Sequence, residues 1–253
     1  MNLKGKRGIV LGVANEHSMA AGCVEAIVRQ GGECAVTYQN EKSRPYVESF
    51  INSLPVVELL PCDVQDRNSM QALFSWVEKK WGKLDFIIHS IAYAPHDELF
   101  NPVIESQQEL FNTAMDISCH SLIHVARLAE PFMQSGGSIL TMSYYGAEKV
   151  VGNYRIMGPV KAALEATVRY LAAELGPHGI RVSAVSPGPV ATRAASGLES
   201  FQELLNQAEK KSAMKRLVTI EEVGSLAAFL VSDASSGMTG QTIYVDAGYH
   251  IIG

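Results

Sequence analysis

Gly8-Ile9-Val10-Leu11-Gly12-Val13-Ala14-Asn15-Glu16-His17-Ser18-Met19-Ala20-Ala21-Gly22 holds an apolar run, a turn and the start of a helix. The run Gly8-Ile9-Val10-Leu11 has the character of a buried strand, Gly12 lets the chain turn sharply off its end, and Ser18 is a residue type that caps helices. A helix over 20–30 follows, and Glu33-Cys34-Ala35-Val36-Thr37-Tyr38 reads as the next strand. Strand, turn, helix and strand in this order make a βαβ unit with parallel strands. The alternation continues outward, with strands at 56–61, 84–89, 137–142, 180–185 and 242–246 and helices at 69–81, 115–133 and 162–175. The spacing predicts an α/β fold of the Rossmann type: a doubly wound, seven-stranded parallel sheet with helices on both faces. No repeat or linker divides residues 1–253, so one domain is expected. Its pattern weakens over about 190–217, a small-residue turn followed by a polar amphipathic stretch, which suits a substrate-covering segment.

Composition narrows the class. With 47% hydrophobic and 19% charged residues the chain can build the full core of a soluble globular protein. A formal net charge of −5 argues against general affinity for nucleic acid or anionic membranes. Residues 1–7 lack the apolar run of a signal segment, and no stretch of about 18 apolar residues could span a bilayer. A cytoplasmic location is therefore expected. Cys23, Cys34, Cys62 and Cys119 show no metal-like spacing and read as reduced core thiols. His120 and His124 share the spacing of a metal pair but lack an evident third ligand, so no metal is expected.

A sheet of this kind binds ligands at the carboxyl ends of its strands. Residues 12–22 do not spell the usual Gly-x-Gly-x-x-Gly, yet they meet its physical requirements. Gly12 gives the turn, Ser18 and Met19 open a helix whose free N–H groups attract an anion, and Gly22 or Ala21 would let the helix pack closely on the sheet. A plain strand-to-helix turn would look similar on these residues alone. Three further strand ends supply what a dinucleotide needs. Asp63, beside Val64, could accept from an adenine amino group, and Ser90-Ile91-Ala92 would pass under the adenosine ribose. Gln39 follows the second strand, where the ribose is discriminated. No basic residue falls directly there, with Lys42 and Arg44 a little beyond, so NADH is favoured and NADPH stays open.

Tyr154-Arg155-Ile156-Met157-Gly158-Pro159-Val160-Lys161 places a phenol and an ammonium seven residues apart. On a helix such a pair is nearly eclipsed, because two turns take about 7.2 residues. Beside a nicotinamide it could polarise a substrate carbonyl while the lysine holds the cofactor ribose. Pro159 lies within the span. Either the helix begins near Gly158 and carries proline in its first turn, or it kinks there.

Five motifs in order, from Lys6 to Gly253, resemble the short-chain dehydrogenase/reductase superfamily and, within it, the bacterial enoyl-acyl-carrier-protein reductases. They are Gly12 to Ser18, His89-Ser90-Ile91-Ala92-Tyr93-Ala94-Pro95, Ser143-Tyr144-Tyr145-Gly146-Ala147-Glu148-Lys149, Asn153-Tyr154 through Lys161, and Ala194-Ala195-Ser196-Gly197. The superfamily's usual Tyr-x3-Lys also occurs, as Tyr145 and Lys149. That pair follows Ser143 too closely to have the serine that normally lies about thirteen residues upstream, so Tyr154 and Lys161 are preferred. The resemblance implies hydride transfer from NADH to the β-carbon of a trans-2-enoyl thioester, carried by acyl carrier protein or coenzyme A. It implies that Tyr154 donates to the developing enolate, that Lys161 bonds the nicotinamide ribose, and that Tyr144 completes the catalytic set and lines the acyl pocket. Cofactor contacts would come from Gly12, Ser18, Met19, Gln39, Asp63, Val64, Ser90, Ile91, Ala92, Gly188, Pro189 and Thr192. Substrate contacts would come from Tyr93, Ala94, Tyr144, Tyr154, Met157 and Ala194.

The sequence departs from the enoyl-reductase pattern at Pro187, where alanine is usual, and this favours a carbonyl or 3-oxoacyl reductase as the second reading. A non-catalytic nucleotide sensor is a third, set against the presence of both Tyr154 and Lys161. Lys210, Lys211, Lys215 and Arg216 could steer an acidic carrier protein, or could form a solvated helix face alternating with Glu203 and Glu209. Trp76 and Trp81 read as packing. The helices at 115–133 and 162–175 are more apolar than one sheet face requires, and the resemblance points to a homotetramer built on such helices.

Overall fold

Alternation along the first strand sets the layers. In β1 (Arg7–Leu11), Ile9 and Leu11 point into one apolar layer and Val10 into the other, and all three are inaccessible to solvent. The computed structural model describes residues 2–55, 57–190 and 201–253. Following β1 come α1 (Met19–Arg29), β2 (Glu33–Tyr38), α2 (Arg44–Ile51), β3 (Val57–Pro61), α3 (Arg67–Lys80) and β4 (Phe86–His89). The chain continues through α4 (His96–Phe100), α5 (Gln108–Met115), α6 (Ser121–Ala129) and β5 (Gly137–Met142). It ends with α7 (Met157–Leu175), β6 (Ile180–Pro187), α8 (Phe201–Lys211), α9 (Ile220–Val231) and β7 (Thr242–Val245).

The seven strands form one parallel sheet in the order β3-β2-β1-β4-β5-β6-β7, the Rossmann arrangement expected from the sequence. Val10, Val36, Ile88, Leu140 and Val185 pack against α1, α2 and α9 on one face. Ile9, Ile87, Ile139 and Val182 pack against α3, α6 and α7 on the other. Strand order reverses between β1 and β4, where Leu11 pairs with His89, and this opens the crevice that such sheets use for ligands. The cysteines are free and buried, and burial pushes the Cys23 and Cys62 thiols up to about 12, which keeps them protonated. Trp76 and Trp81 pack edge to face, 4.9 Å between ring centroids, beside the second core layer.

Three expectations are corrected. The stretch 115–133 is not one helix: a π-helical turn over Asp116–His120 separates α5 from α6, and a 3₁₀ turn over Glu130–Phe132 ends it. The extra residue of the π turn directs the Ser118 hydroxyl onto the Tyr93 backbone, which regular α-helical register would not do. Helix α3 starts two residues earlier than Ser69, because the Asp66 carboxylate accepts from the Asn68 N–H at 2.9 Å and caps it. Gly22 serves helix-on-helix rather than helix-on-sheet packing. A methyl group on Gly22 would meet the Ile220 carbonyl, and one on Gly224 would run into the Gly22 carbonyl, so α1 and α9 touch backbone to backbone.

That contact gives a stability prediction. Gly224→Val should force the two helices apart and destabilise the fold by about 3 kcal/mol, at the upper end of ordinary overpacking costs. Urea unfolding would measure it, and an unchanged midpoint would show that the crossing can widen freely.

Candidate active site

The ends of strands β1 to β6 and the helices α1 and α7 supply the site. The turn after β1 is held by Gly12 at φ 93°, a left-handed conformation that suits glycine, and a Cβ there would strike the Ser90 carbonyl beyond β4. Ser90 in turn donates its N–H to the Leu11 carbonyl at 3.0 Å. Gly12, Ser90 and Ile91 are therefore neighbours, as the sequence reading required. Ser18 caps α1 by accepting from the Ala21 N–H at 3.2 Å, leaving the amide of Met19 in the first turn, where N–H groups lack helical partners. At the end of β3, Asp63 is half-buried and accepts from the Gln65 N–H, with Val64 beside it, and Gln39 lies exposed after β2. Gly188 and Pro189 are buried beyond β6, where Gly188 donates to the Val245 carbonyl at 3.0 Å. Thr192 and Ala194 lie outside the described residues.

The reactive end is built around Tyr154. Helix α7 starts at Met157, so Pro159 sits in its first turn, where its missing N–H costs no helical bond. Tyr154 precedes the helix, so of the two alternatives that Pro159 left open the structure shows the first, with the phenol on the approach to α7 rather than on the same helix as Lys161. Asn153 (φ 60°) and Arg155 (φ 49°) adopt left-handed backbone on either side of Tyr154 and aim its ring inward. Such residues are strained by about 1–2 kcal/mol each, a feature concentrated at functional sites. The Tyr154 and Tyr144 rings meet at 4.8 Å and 63°. Ala94 and Met157 join the same apolar cluster, while Tyr93 is half exposed at its margin and Ala92 is exposed.

Burial determines the chemistry of these groups. It raises the Tyr154 phenol far above its ordinary value, with the Tyr144 and Glu165 charges adding to the effect, so Tyr154 stays a proton donor. Tyr144 is raised for the same first reason, and its buried hydroxyl has no hydrogen-bond partner among the described residues. Lys161 is only 4% exposed, and burial brings its ammonium down to about 8. Its Nζ donates to the Met142 carbonyl at 2.6 Å. By contrast, Lys149 of the rejected Tyr145 and Lys149 pair is exposed, and Tyr145 packs edge to face on Tyr249. The geometry presents a neutral phenol, a second phenol and a buried cation at the carboxyl edge of the sheet.

Residues 12–250 match the family described as Enoyl-(Acyl carrier protein) reductase. The chain belongs to that family. It is 47% identical over 251 residues to an enoyl-[acyl-carrier-protein] reductase [NADH] of Rhizobium meliloti, covering 99% of this chain and 92% of that one. A Synechocystis enoyl-[acyl-carrier-protein] reductase [NADH] is 46% identical over 256 residues, covering 100% and 99%. Among solved structures, the Anaplasma phagocytophilum reductase in complex with NAD matches with a TM-score of 0.95 at 45% identity, over 99% of this chain and 96% of that one. The Bacillus cereus reductase with NADP+ and indole naphthyridinone matches with a TM-score of 0.97 at 41% identity, over 100% of both.

Several polar groups of this reductase site escaped the sequence reading. His89 is fully buried between Thr141 (3.0 Å) and the Ser121 hydroxyl (2.8 Å), and burial lowers it to about 3, so it is a neutral strut at the crevice. Ser118 of the π turn both donates to and accepts from the Tyr93 backbone at 2.8 Å. Asp246 accepts from the Gly248 and His250 N–H groups and faces His250 Nδ1 at 2.8 Å, fixing the C-terminal turn beside Gly188. Only the Ser118 and His89 positions carried a signal, as polar residues in otherwise apolar runs. The basic cluster is thinner than its sequence suggests. Arg216 is held by Glu222 at 2.7 and 2.8 Å, Lys215 donates to the Lys210 carbonyl, and Lys211 lies 5.5 Å over the Tyr249 ring.

Proposed function

We propose that the chain reduces the trans-2 double bond of enoyl thioesters borne on acyl carrier protein, with NADH as reductant. The observation that carries this reading is the Tyr144–Tyr154 ring pair, with Tyr154 and Lys161 both buried, in a chain of the enoyl-reductase family. The residues present fit a nicotinamide dinucleotide. A Cβ at Gly12 would strike the Ser90 carbonyl, so only glycine lets the β1 turn lie this close to the end of β4, and Ser18 caps the start of α1 that follows this turn, where free N–H groups suit a pyrophosphate. Past β2, Glu41 accepts from the Tyr38 hydroxyl and Arg44 is drawn to Glu41 and Glu48, so its guanidinium is already compensated, and exposed Lys42 is the other cation of this stretch. The compensation of Arg44 supports NADH over NADPH. Asp63, Val64, Gln39, Ser90, Ile91 and Ala92 would hold the adenosine half, and Met19, Ser18, Gly188 and Pro189 the pyrophosphate and nicotinamide half.

When bound, NADH supplies the hydride. The protein's part is to orient the acyl group and to stabilise the charge that builds on the thioester oxygen. Tyr154 donates to that oxygen, and a donor preorganised where charge develops is worth most in a water-poor site. Lys161 holds the ribose hydroxyls and adds positive charge to the site. Tyr144, Tyr93, Ala94 and Met157 line the acyl path. Residues 190–217, including α8, would cover the acyl chain, and Lys210 with Lys211 would meet an acidic carrier protein. Exposed Ile123 on α6 and Tyr170 on α7 (39% and 73% accessible) support a homotetramer assembled on these helices, which sedimentation equilibrium would test against a monomer. None of the described helices is long and apolar enough to cross a membrane.

Absorbance at 340 nm tests the reading. Rapid loss of NADH with a trans-2-enoyl thioester, slow loss with NADPH, and none with a 3-oxoacyl thioester is the expected pattern. Activity on the keto thioester alone would assign the chain to carbonyl reduction instead.

A further inference from the structure

Glu165 is the buried charged group of α7 that the mechanism above leaves without a role. It is 6% exposed and follows Lys161 by one helical turn, so the two side chains share a face. Its Oε1 accepts from the Ser143 hydroxyl at 2.5 Å. The preceding residue, Met142, receives the Lys161 ammonium on its carbonyl at 2.6 Å. The following residue is Tyr144. Two neighbouring side chains of α7 thus grip two consecutive residues at the end of β5, one by a carboxylate and one by a cation. Burying a carboxylate costs several kcal/mol unless it is paired and hydrogen-bonded, and an apolar residue would fill the same space at no such cost.

We propose that Glu165 is a positioning residue of the reductase site: through Ser143 it fixes the end of β5, and with it the Met142 carbonyl and the Tyr144 ring, against Lys161. The proposal rests on the role given to Lys161 above. The carboxylate also acts through its charge. Lys161 feels His89 from β4, Cys119 from the π turn and Glu165 from its own helix, and its Nζ meets the Met142 carbonyl of β5. Burial lowers the ammonium, and Cys119 and Glu165 are the groups that oppose that fall. Around Glu165 itself, burial and Glu148 favour the neutral acid, while Ser143, Thr242 and Arg169 favour the carboxylate. Tyr244 of β7 feels the same charge.

Two variants of the full-length protein separate position from charge. Glu165→Gln keeps an oxygen for Ser143 but removes the charge. The alkaline limb of NADH affinity, followed by fluorescence titration against pH, should then move down by about one pH unit from about 8. Ser143→Ala keeps the Glu165 side chain but removes the hydroxyl through which it grips the end of β5. Its kcat should fall on the order of tenfold, with the alkaline limb and NADH affinity in place, as small displacements of reacting groups do. Melting curves establish that each variant is folded. A folded Ser143→Ala enzyme with wild-type kcat, or a folded Glu165→Gln enzyme with the wild-type limb, would overturn the proposal. Should Glu165→Gln fail to fold, Ser143→Ala decides alone. If the unaltered protein leaves enoyl thioesters untouched, the functional reading falls, and the pH limb of NADH binding still judges Glu165.

Discussion

Tyr154→Phe is expected to lower kcat on the order of a hundredfold while leaving NADH affinity within about twofold of the wild type; removal of a single preorganised donor to a developing oxyanion typically costs about 10²–10³ in rate. The substitution removes one oxygen and keeps the ring. The contact with Tyr144 at 4.8 Å and the packing with Ala94, Met157 and Val160 should therefore persist. Stability should hardly change, and the variant should bind NADH as a folded protein. The phenol's raised pKa gives a second expectation. Because burial keeps Tyr154 neutral well above its ordinary value, its ionisation contributes no alkaline loss of activity near pH 8. Stopped-flow hydride transfer with a trans-2-enoyl thioester would measure the effect. A rate near the wild type would reassign the donor, with Tyr144 the nearest alternative, since its hydroxyl is buried without a partner among the described residues.

The sheet was legible because strands buried on both faces appear as almost uninterrupted apolar runs. Glu33–Tyr38 and Gly137–Met142 coincide with β2 and β5, and the other strands differ by a residue or two at their ends. Helix interruptions were not legible, for a physical reason. The π turn over Asp116–His120 contains no proline or glycine, and what accompanies it is a tertiary contact, the Ser118 hydroxyl bonded to both the N–H and the carbonyl of Tyr93. The contact of α1 with α9 likewise depends on which helices meet, and Gly22 by itself could not say whether its partner was a sheet or another helix.

At the site, residue identity was more legible than geometry. Gly12, Ser90 and Ile91 converge as the strand ends foretold, and Tyr144, Tyr154, Ala94 and Met157 share one apolar cluster. The seven-residue step from Tyr154 to Lys161 had looked helical, yet Tyr154 reaches the site through left-handed backbone at Asn153 and Arg155. Asparagine is among the residues that tolerate positive φ, so Asn153 carried a weak signal, whereas nothing in the residue type of Arg155 announces it. Glu165 was passed over because a glutamate one turn after a lysine ordinarily signals a solvated helix face. Here the same spacing is buried, and the pair turns inward to β5.

Lys161→Met should lose most of its activity and be no less stable than the wild type, which separates a functional lysine from a structural one. Burial lowers the Lys161 ammonium from 10.5 to about 8. At about 1.4 kcal/mol per pH unit, keeping this side chain charged in the folded protein costs about 3 kcal/mol at neutral pH. The sign follows from proton counting: between about pH 8 and 10.5 the unfolded chain binds the proton that the folded chain releases, so stability rises with pH across that window. Methionine removes the cost and fills a similar volume. Against this, the Met142 carbonyl loses its donor, a penalty of about 1–3 kcal/mol. The two effects leave the variant at or slightly above wild-type stability in urea at pH 7. Function should move the other way. A charge-assisted hydrogen bond to the ribose is worth about 1.5–3 kcal/mol, so NADH affinity should weaken on the order of tenfold to a hundredfold, and turnover should fall with it. In the unaltered enzyme the same logic places an alkaline loss of NADH affinity near pH 8, as the ammonium gives up its proton. A variant that unfolds readily yet binds NADH normally would make Lys161 a strut for β5 and remove it from the chemistry.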